Sequence, residues 1–234
     1  MKHIVLWSTG VLLLLCGVSQ EARGDAITFN FTGTVTQFNS DPSDPFGGTI
    51  SFGTPITGSY TFESTSPDSD PGASSGSYQI TGSPYGVTAT MGGNTFTTSD
   101  FLAINIFDSS VDQYGALGCA PDASTCFSGD LSIALFLQDA TGTALSSDGL
   151  PLLPPDLSDF QTRDFSLFQN YFDANGDFFQ IEIGGQIDSL SCASCSVAAI
   201  PEPATVFLLG FGLAGLPFVR SRIVRNSKQF RARR

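Results

Sequence analysis

Four cysteines outside the N-terminal segment are the residues whose spacing most directly suggests a chemistry. They are Cys119, Cys126, Cys192 and Cys195, and an even number of cysteines suits disulfides wherever a chain enters an oxidising compartment. Three pairings are open, of which we favour Cys119 with Cys126 and Cys192 with Cys195, closing the segments CAPDASTC and CASC. A redox Cys-x-x-Cys needs a helix N-terminus or a cation beside a thiol, whereas CASC follows a predicted strand. A zinc site built from all four cysteines is less favoured still.

A short acidic motif suggests calcium. In DANGDFF, Asp173, Asn175 and Asp177 offer three oxygen ligands at alternate positions, a donor set that suits this cation. An EF-hand loop would require glycine at its sixth position and glutamate at its twelfth, where this chain has Phe178 and Gly184. The motif is therefore a candidate calcium site of another kind or, more simply, a polar hairpin turn. No other cofactor is indicated.

The residue types that are missing exclude several enzyme classes. The one histidine, His3, and the one tryptophan, Trp7, lie in the N-terminal segment, and no lysine occurs between residues 3 and 227. Such a body holds no Ser-His-Asp or Cys-His arrangement, no Schiff-base lysine and no histidine-ligated zinc. Carboxylates are the remaining catalytic groups, as in glycosidases. We therefore predict that the protein is not an enzyme, with a carboxylate-based glycosidase as an alternative.

The charge of the chain is distributed very unevenly. Residues 25–203 hold 21 acidic side chains and a single basic one, Arg163, for a net charge of −20. Nucleic acid and anionic lipid both require a positive surface, so neither is a partner of this segment. The other cations lie at the two ends of the chain, where they suggest targeting signals.

The first 26 residues predict a signal peptide. Lys2 and His3 form a short positive region, and the apolar run at 4–18 is too short to span a bilayer comfortably. Small residues follow the run and place the cleavage either after Gly24 or after Ala26.

A second apolar run, at residues 204–219, predicts a single transmembrane helix. Sixteen residues in a helix measure roughly 24 Å, a short span of a ~30 Å hydrocarbon core. Arg220, Arg222 and Arg225 follow the run and should stay in the cytoplasm as a basic anchor. The body is then held outside the inner membrane by its C-terminus, and a plain tail anchor is the simplest interpretation of this segment.

A Pro-Glu-Pro triplet precedes this apolar run. Pro201 and Pro203 disfavour helix and hold the segment extended beside the membrane, with Glu202 as a distinctive charge. Triplet, apolar run and basic cluster together resemble the PEP-CTERM sorting signal of Gram-negative bacteria. That resemblance implies recognition by an exosortase, a membrane-embedded cysteine peptidase or transpeptidase. The tail, 201–234, would be removed and the body released or transferred to the cell exterior.

The body between the two signals predicts an all-β domain at residues 27–190, followed by a linker at 191–200. Segments such as ITFNFTGTVTQF alternate apolar and polar residues with a period of two, and turn residues separate them. Gly92-Gly93 and Asn175-Gly176 predict hairpin turns, and the loop at 146–160 a crossover connection. We expect an antiparallel β-sandwich or jelly-roll-like fold. This body is similar to the β-rich ectodomains found in front of PEP-CTERM tails.

These observations predict an exported, non-catalytic cell-surface or matrix protein. Its precursor would be anchored in the inner membrane with the body in the periplasm, and the mature form would reach the cell surface or the medium. The expected partners are an exosortase, the inner membrane and exopolysaccharide, since bacteria with such tails typically build biofilms. A carbohydrate-binding module is an alternative, weakened because the body lacks tryptophan for a sugar platform.

Overall fold

A computed structural model describes residues 24–41, 44–99, 101–120, 126, 131–172, 176 and 178–195. All of them belong to one compact unit, Met1–Cys195. In this part of the chain there is one 3-10 helix, Leu157–Asp159, and no α-helix. Ten strands make up the rest of the regular structure: β1 (Ala26–Asp41), β2 (Pro55–Glu63), β3 (Ser75–Thr81), β4 (Gly86–Met91), β5 (Asn94–Thr98), β6 (Phe101–Phe107), β7 (Asp112–Ala120), β8 (Leu131–Asp139), β9 (Thr162–Phe172) and β10 (Phe178–Cys192).

The ten strands form one antiparallel sheet. Their order is β3-β6-β7-β8-β9-β10-β1-β2-β4-β5, so that β3 and β5 are the two edges. The prediction of an all-β, antiparallel fold is confirmed. The two layers expected of a sandwich are parts of one continuous sheet, which curls until its halves face each other across a core.

The two longest strands join the halves of the sheet. β1 has 16 residues and β10 has 15, and they pair along most of their length. The pairing shifts register between Thr32 and Gly33 and again between Val35 and Gln37. Such bulges bend a strand and increase its twist, which lets one sheet fold back on itself.

The period of two in the sequence decides which side chains fill the core. In β1, Ile27, Phe29 and Phe31 are buried, whereas the residues between them are exposed or half-buried. The Phe29 ring packs edge-on against Tyr60, at 5.5 Å between ring centroids, and Phe62, at 5.2 Å. Burying such large rings supplies most of the stabilisation, at about 25 cal/mol per Å² of apolar surface. The phenylalanines of the strands are therefore core residues first.

One hydrogen bond links the two halves through the core. The hydroxyls of Tyr60 in β2 and Tyr114 in β7 lie 2.8 Å apart, and both side chains are fully buried. Burial raises the pKa of both phenols, so both hydroxyls stay protonated and satisfy each other. The pair fixes how β2 packs over β7 in a core made largely of apolar side chains.

The connections agree with the sequence at one hairpin and differ in one long loop. Gly92 and Gly93 have φ of +56° and +80° and join β4 to β5, which confirms that hairpin. The prediction of a crossover at 146–160 is wrong, because β8 and β9 are hydrogen-bonded neighbours. The loop instead folds over one end of the sheet, where Leu150 and Leu157 pack against the core and Phe160 is buried within it. Loop length alone could not reveal this.

Candidate functional site

The structure pairs the four cysteines as the sequence analysis favours. Cys119 is bonded to Cys126 with their Cα atoms 5.1 Å apart, and Cys192 is bonded to Cys195 at 5.6 Å. The first disulfide lies on the outer face of β7, in a small apolar cluster with Phe101 of β6. Two disulfides in so small a domain suit an oxidising compartment outside the cytoplasm.

The second disulfide secures the end of the body from which the tail continues. β10 runs to Cys192, so the strand includes Ser191 and Cys192, the first two residues of the predicted linker at 191–200. After β10, Ala193 N–H donates to the Thr28 carbonyl at 2.9 Å, and Thr28 N–H donates to Ser194 Oγ at 3.0 Å. The last described residues are thus bound to the beginning of β1, and we call this end of the sheet the tail end.

A groove of about 600 Å³ lies on the outer face of β6, β7, β8 and β9. Small residues form its floor: Gly115, Ala134 and Ser166. Phenylalanines stand along it, and Phe107 among them is 43% exposed. The described residues that line this outer-face groove include no charged side chain, although the body is strongly acidic. Its size is typical of a site for a small organic ligand, about 300–1,000 Å³.

The register of the strands explains why the outer-face groove exists. Phe136 in β8 lies directly opposite Gly115 in β7, and Phe168 in β9 lies opposite Ser132 in β8. Each ring therefore faces a small residue on the neighbouring strand, and the missing side-chain volume leaves a depression. The Cys119–Cys126 bridge borders the groove, since Cys126 is among its lining residues.

Amides and hydroxyls provide the polar groups of the outer-face groove. Asn105 accepts a hydrogen bond from Ser77 Oγ at 2.9 Å through its Oδ1, which orients the amide. Its Nδ2 makes no hydrogen bond to the residues that the structure describes. Gln113 and Ser132 add further neutral groups along the lining. The site therefore offers hydrogen bonds and aromatic faces, but none of its lining side chains titrates near neutral pH.

Two buried carboxylates lie near the groove, and the sequence analysis did not single them out. Asp112 in β7 and Asp139 in β8 are cross-strand partners with 0% exposure. Asp139 accepts backbone N–H groups of Thr141 at 2.8 Å, Thr143 at 2.7 Å and Ala144 at 3.0 Å. Asp112 accepts N–H groups from the adjoining loops, including that of Leu145 at 2.8 Å. Their oxygens thus hold the loops at the tail end and face backbone donors.

A sequence signal for these carboxylates exists. In DQYGAL, the period of two places Asp112 on the same face as Tyr114 and Ala116, which point into the core. An acidic residue on the inward face at the end of a strand must find donors, and the neighbouring loop supplies them. Asp139 likewise ends its strand and is followed by threonines at alternate positions, a pattern typical of Asx turns.

Acid should weaken the fold through Asp139. Its backbone hydrogen bonds, that of Thr143 foremost, hold the pKa of this carboxyl well below its usual range. The ionised form is favoured by folding, so its contribution is complete above about pH 4 and is lost as the pH falls towards the lower native pKa. We expect Asp139→Asn to be less stable than the parent protein at pH 7, and the gap to shrink steadily below pH 4. Urea denaturation at a series of pH values measures this.

Asp164→Asn is the matched control for that experiment. Asp164 lies in β9 with its carboxylate exposed. The stability of Asp164→Asn against urea should follow that of the parent protein at every pH. A constant gap between Asp139→Asn and the parent from pH 7 to pH 2 would contradict the assignment.

Several residues predicted from the sequence lie outside the described part of the chain. Calcium binding by the acidic motif stays a prediction, and among the described residues no three His, Cys, Asp or Glu side chains are grouped like metal ligands. No helix within the described ranges is both long and apolar enough to cross a membrane. The predicted site residues outside these ranges are Asp173, Asn175, Asp177, Pro201, Glu202, Pro203, Arg220, Arg222 and Arg225.

Comparison with known proteins identifies the C-terminal segment. Residues 199–223 match the PEP-CTERM protein-sorting motif, which confirms the resemblance seen in the tail. The motif implies an exported, membrane-anchored precursor in a Gram-negative bacterium, and its processing by an exosortase. Neither the curated proteins nor the solved structures contain a match to this chain. The β body therefore has to be interpreted from its own geometry.

Proposed function

We propose that this protein is a non-catalytic component of the cell surface or extracellular matrix, and that its body associates with exopolysaccharide after an exosortase has removed the tail. The sorting motif supports export and processing. The association with polysaccharide rests on the outer-face groove, because its volume of about 600 Å³ and its uncharged lining suit a small organic ligand. Its walls and floor favour a neutral molecule with an apolar face and several hydroxyl groups.

A sugar ring has that combination of surfaces. The C–H face of a pyranose packs on an aromatic ring, for which Phe107, Phe136 and Phe168 are available, and its hydroxyls pair with amides such as Asn105. The floor of Gly115 and Ala134 allows the ring to approach the sheet closely. An acidic glycan would be repelled by the net charge of −20 of residues 25–203, so we propose a neutral one.

The absence of catalysis is part of the proposal. General acid–base chemistry needs a titratable group beside the reacting bond, and the described lining of the groove includes none. The buried pair Asp112 and Asp139 is 0% exposed and is engaged by backbone N–H groups, so neither oxygen pair faces a substrate. A carboxylate-based glycosidase remains the third candidate, and release of soluble sugar from a bound polysaccharide would support it.

The second candidate, a carbohydrate-binding module with a defined glycan, is favoured by the same groove. Gly115→Val distinguishes a module that binds one defined glycan from a protein that contacts many matrix polysaccharides weakly. An ideal Cβ at Gly115 would come no closer than 3.9 Å to another heavy atom, so the side chain fits without strain and occupies the floor. If one glycan binds in the groove, its affinity should fall about tenfold or more, a loss of about 1.4 kcal/mol or more. A glycan array followed by calorimetry measures this.

Thr57→Val is the matched control, because Thr57 is exposed on β2 at a distance from the groove. It should bind as the parent protein does. Weak binding to many polysaccharides, each reduced by Gly115→Val, would favour general matrix contact over a module with one defined glycan, whereas binding that Gly115→Val leaves unchanged would lie outside the groove and contradict its role. No binding to any neutral glycan or polysaccharide would contradict the role of the groove altogether.

A further inference from the structure

Two exposed leucines project from the long loop at the tail end. Leu152 is 50% exposed and Leu153 is 60% exposed, in a body whose apolar side chains are mostly buried. Pro151 precedes them, and Pro154 and Pro155 follow. Because proline fixes φ near −65°, the loop presents the two leucines with little conformational freedom left to lose. Leucines exposed in this way bury little apolar surface and so contribute little to the stability of the fold.

The rest of the loop is firmly attached to the body. Tyr78 Oη donates to the Asp148 carbonyl at 3.0 Å, which holds the loop before the tip. After the tip, Asp156 accepts Ser158 N–H at 2.9 Å, and Phe160 is buried in the core. The tip itself reaches the C-terminus of the body, because Cys195 Sγ lies 3.2 Å from the Leu152 carbonyl oxygen. The leucines therefore stand beside the residue from which the tail continues.

The length of the tail limits how far this tip can be from the bilayer. Eight residues, 196–203, separate Cys195 from the first residue of the apolar run, Ala204. Fully extended, they reach at most roughly 29 Å, at up to ~3.6 Å per residue. A tether of this length gives the tip a local concentration near the membrane that corresponds to millimolar or more, so a weak apolar contact suffices.

We propose that Leu152 and Leu153 insert into the interfacial region of the bilayer that anchors the precursor, so that the body docks on the membrane. The contact depends on the tether. Two leucines are a small apolar area, and residues 25–203 carry a net charge of −20 that anionic lipids repel. Removal of the tail therefore also ends the docking, and the mature body leaves the membrane.

The absence of tryptophan from the body makes this directly measurable. Leu152→Trp is introduced into the unprocessed chain, purified after export from a host without exosortase and reconstituted in phosphatidylcholine vesicles with brominated acyl chains. In these vesicles we expect the indole of the precursor to fluoresce at a shorter wavelength than the indole of the mature body does in detergent-free solution. We also expect the bromines to quench the precursor's fluorescence at least twofold. The same variant in the processed body, mixed with the same vesicles, should not be quenched.

Phe52→Trp is the matched control. Phe52 is 81% exposed in the loop before β2. The residue after it, Gly53, donates its N–H to the Val35 carbonyl of β1. Val35 is nine residues along β1 from Ala26, so Phe52 lies roughly 30 Å from the tail end. Its indole should not be quenched in either form. Equal quenching of both indoles, or none of either, overturns the proposal. Protection of the Leu152→Trp indole that arises only when an exosortase is added to the vesicles also overturns it, and assigns the tip to the peptidase.

Discussion

Replacing Glu202 with alanine is expected to leave the precursor in the inner membrane, uncleaved. Glu202 is the charged residue between Pro201 and Pro203, so we predict that it is the group by which a processing site distinguishes this stretch. A site that pairs with a charged group is left with unpaired polar groups when the charge is removed, and we expect processing to slow about a hundredfold or more. The body should fold normally.

The measurement uses two epitopes, one inserted after Ser196 and one after Arg234. In the parent protein the first should appear outside the cell without the second, whereas Glu202→Ala should keep both together in the membrane fraction. Glu182→Ala is the control, because Glu182 is exposed on β10 and the change removes the same charge from the body. If both epitopes persist in the mature parent protein in a host with an active exosortase, the tail is a plain anchor and the sorting hypothesis fails.

The inward faces of the strands could be predicted from the sequence because they are a local property. The alternation in ITFNFTGTVTQF assigns Phe29 and Phe31 to the core, and the structure buries both. The same reasoning holds for β8, where Ile133, Leu135 and Leu137 are buried. A strand with one buried face has to show this period, whatever its partner is.

The order of the strands could not be predicted in the same way. β3 pairs with β6 and not with either of its neighbours in the chain, and β10 pairs with β1. Such pairings depend on which edges remain free once the hairpins have formed, and no local pattern records that. The error at 146–160 has the same origin, because a loop of that length can cross the sheet or return to the adjacent strand.

The outer-face groove was hidden from the sequence for a related reason. Gly115, Ala134 and Ser166 lie on three different strands, and only the register places these small residues together beneath the phenylalanines. In the sequence each is one more residue on a solvent face. The sorting tail is the opposite case, since its three parts are contiguous and are recognised as a linear signal.

Gly118→Val is expected to destabilise the fold severely, whereas Gly115→Val on the same strand is not. Gly118 in β7 faces inward, where a Cβ would collide with Thr98 Oγ1 and lie 2.7 Å from Val87 Cγ2 of the opposite layer. Thr98 is buried and its hydroxyl accepts Val87 N–H at 3.1 Å, so moving it also disrupts a buried hydrogen bond. Overpacking costs about 1–3 kcal/mol and the lost bond a further ~1–3 kcal/mol.

A total of about 2–6 kcal/mol is a large part of the 5–15 kcal/mol typical of a folded domain, so Gly118→Val should unfold at a much lower urea concentration or not accumulate at all. Gly115→Val receives the same isopropyl group three residues away on the outer face and should change the stability by less than about 1 kcal/mol. Because the two variants differ only in which face of β7 they crowd, their comparison tests the curled sheet directly. Equal stability of the two variants would mean that the inward face of β7 does not pack against β4 and β5. The assignment of the groove to the outward face of β7 would then be wrong as well.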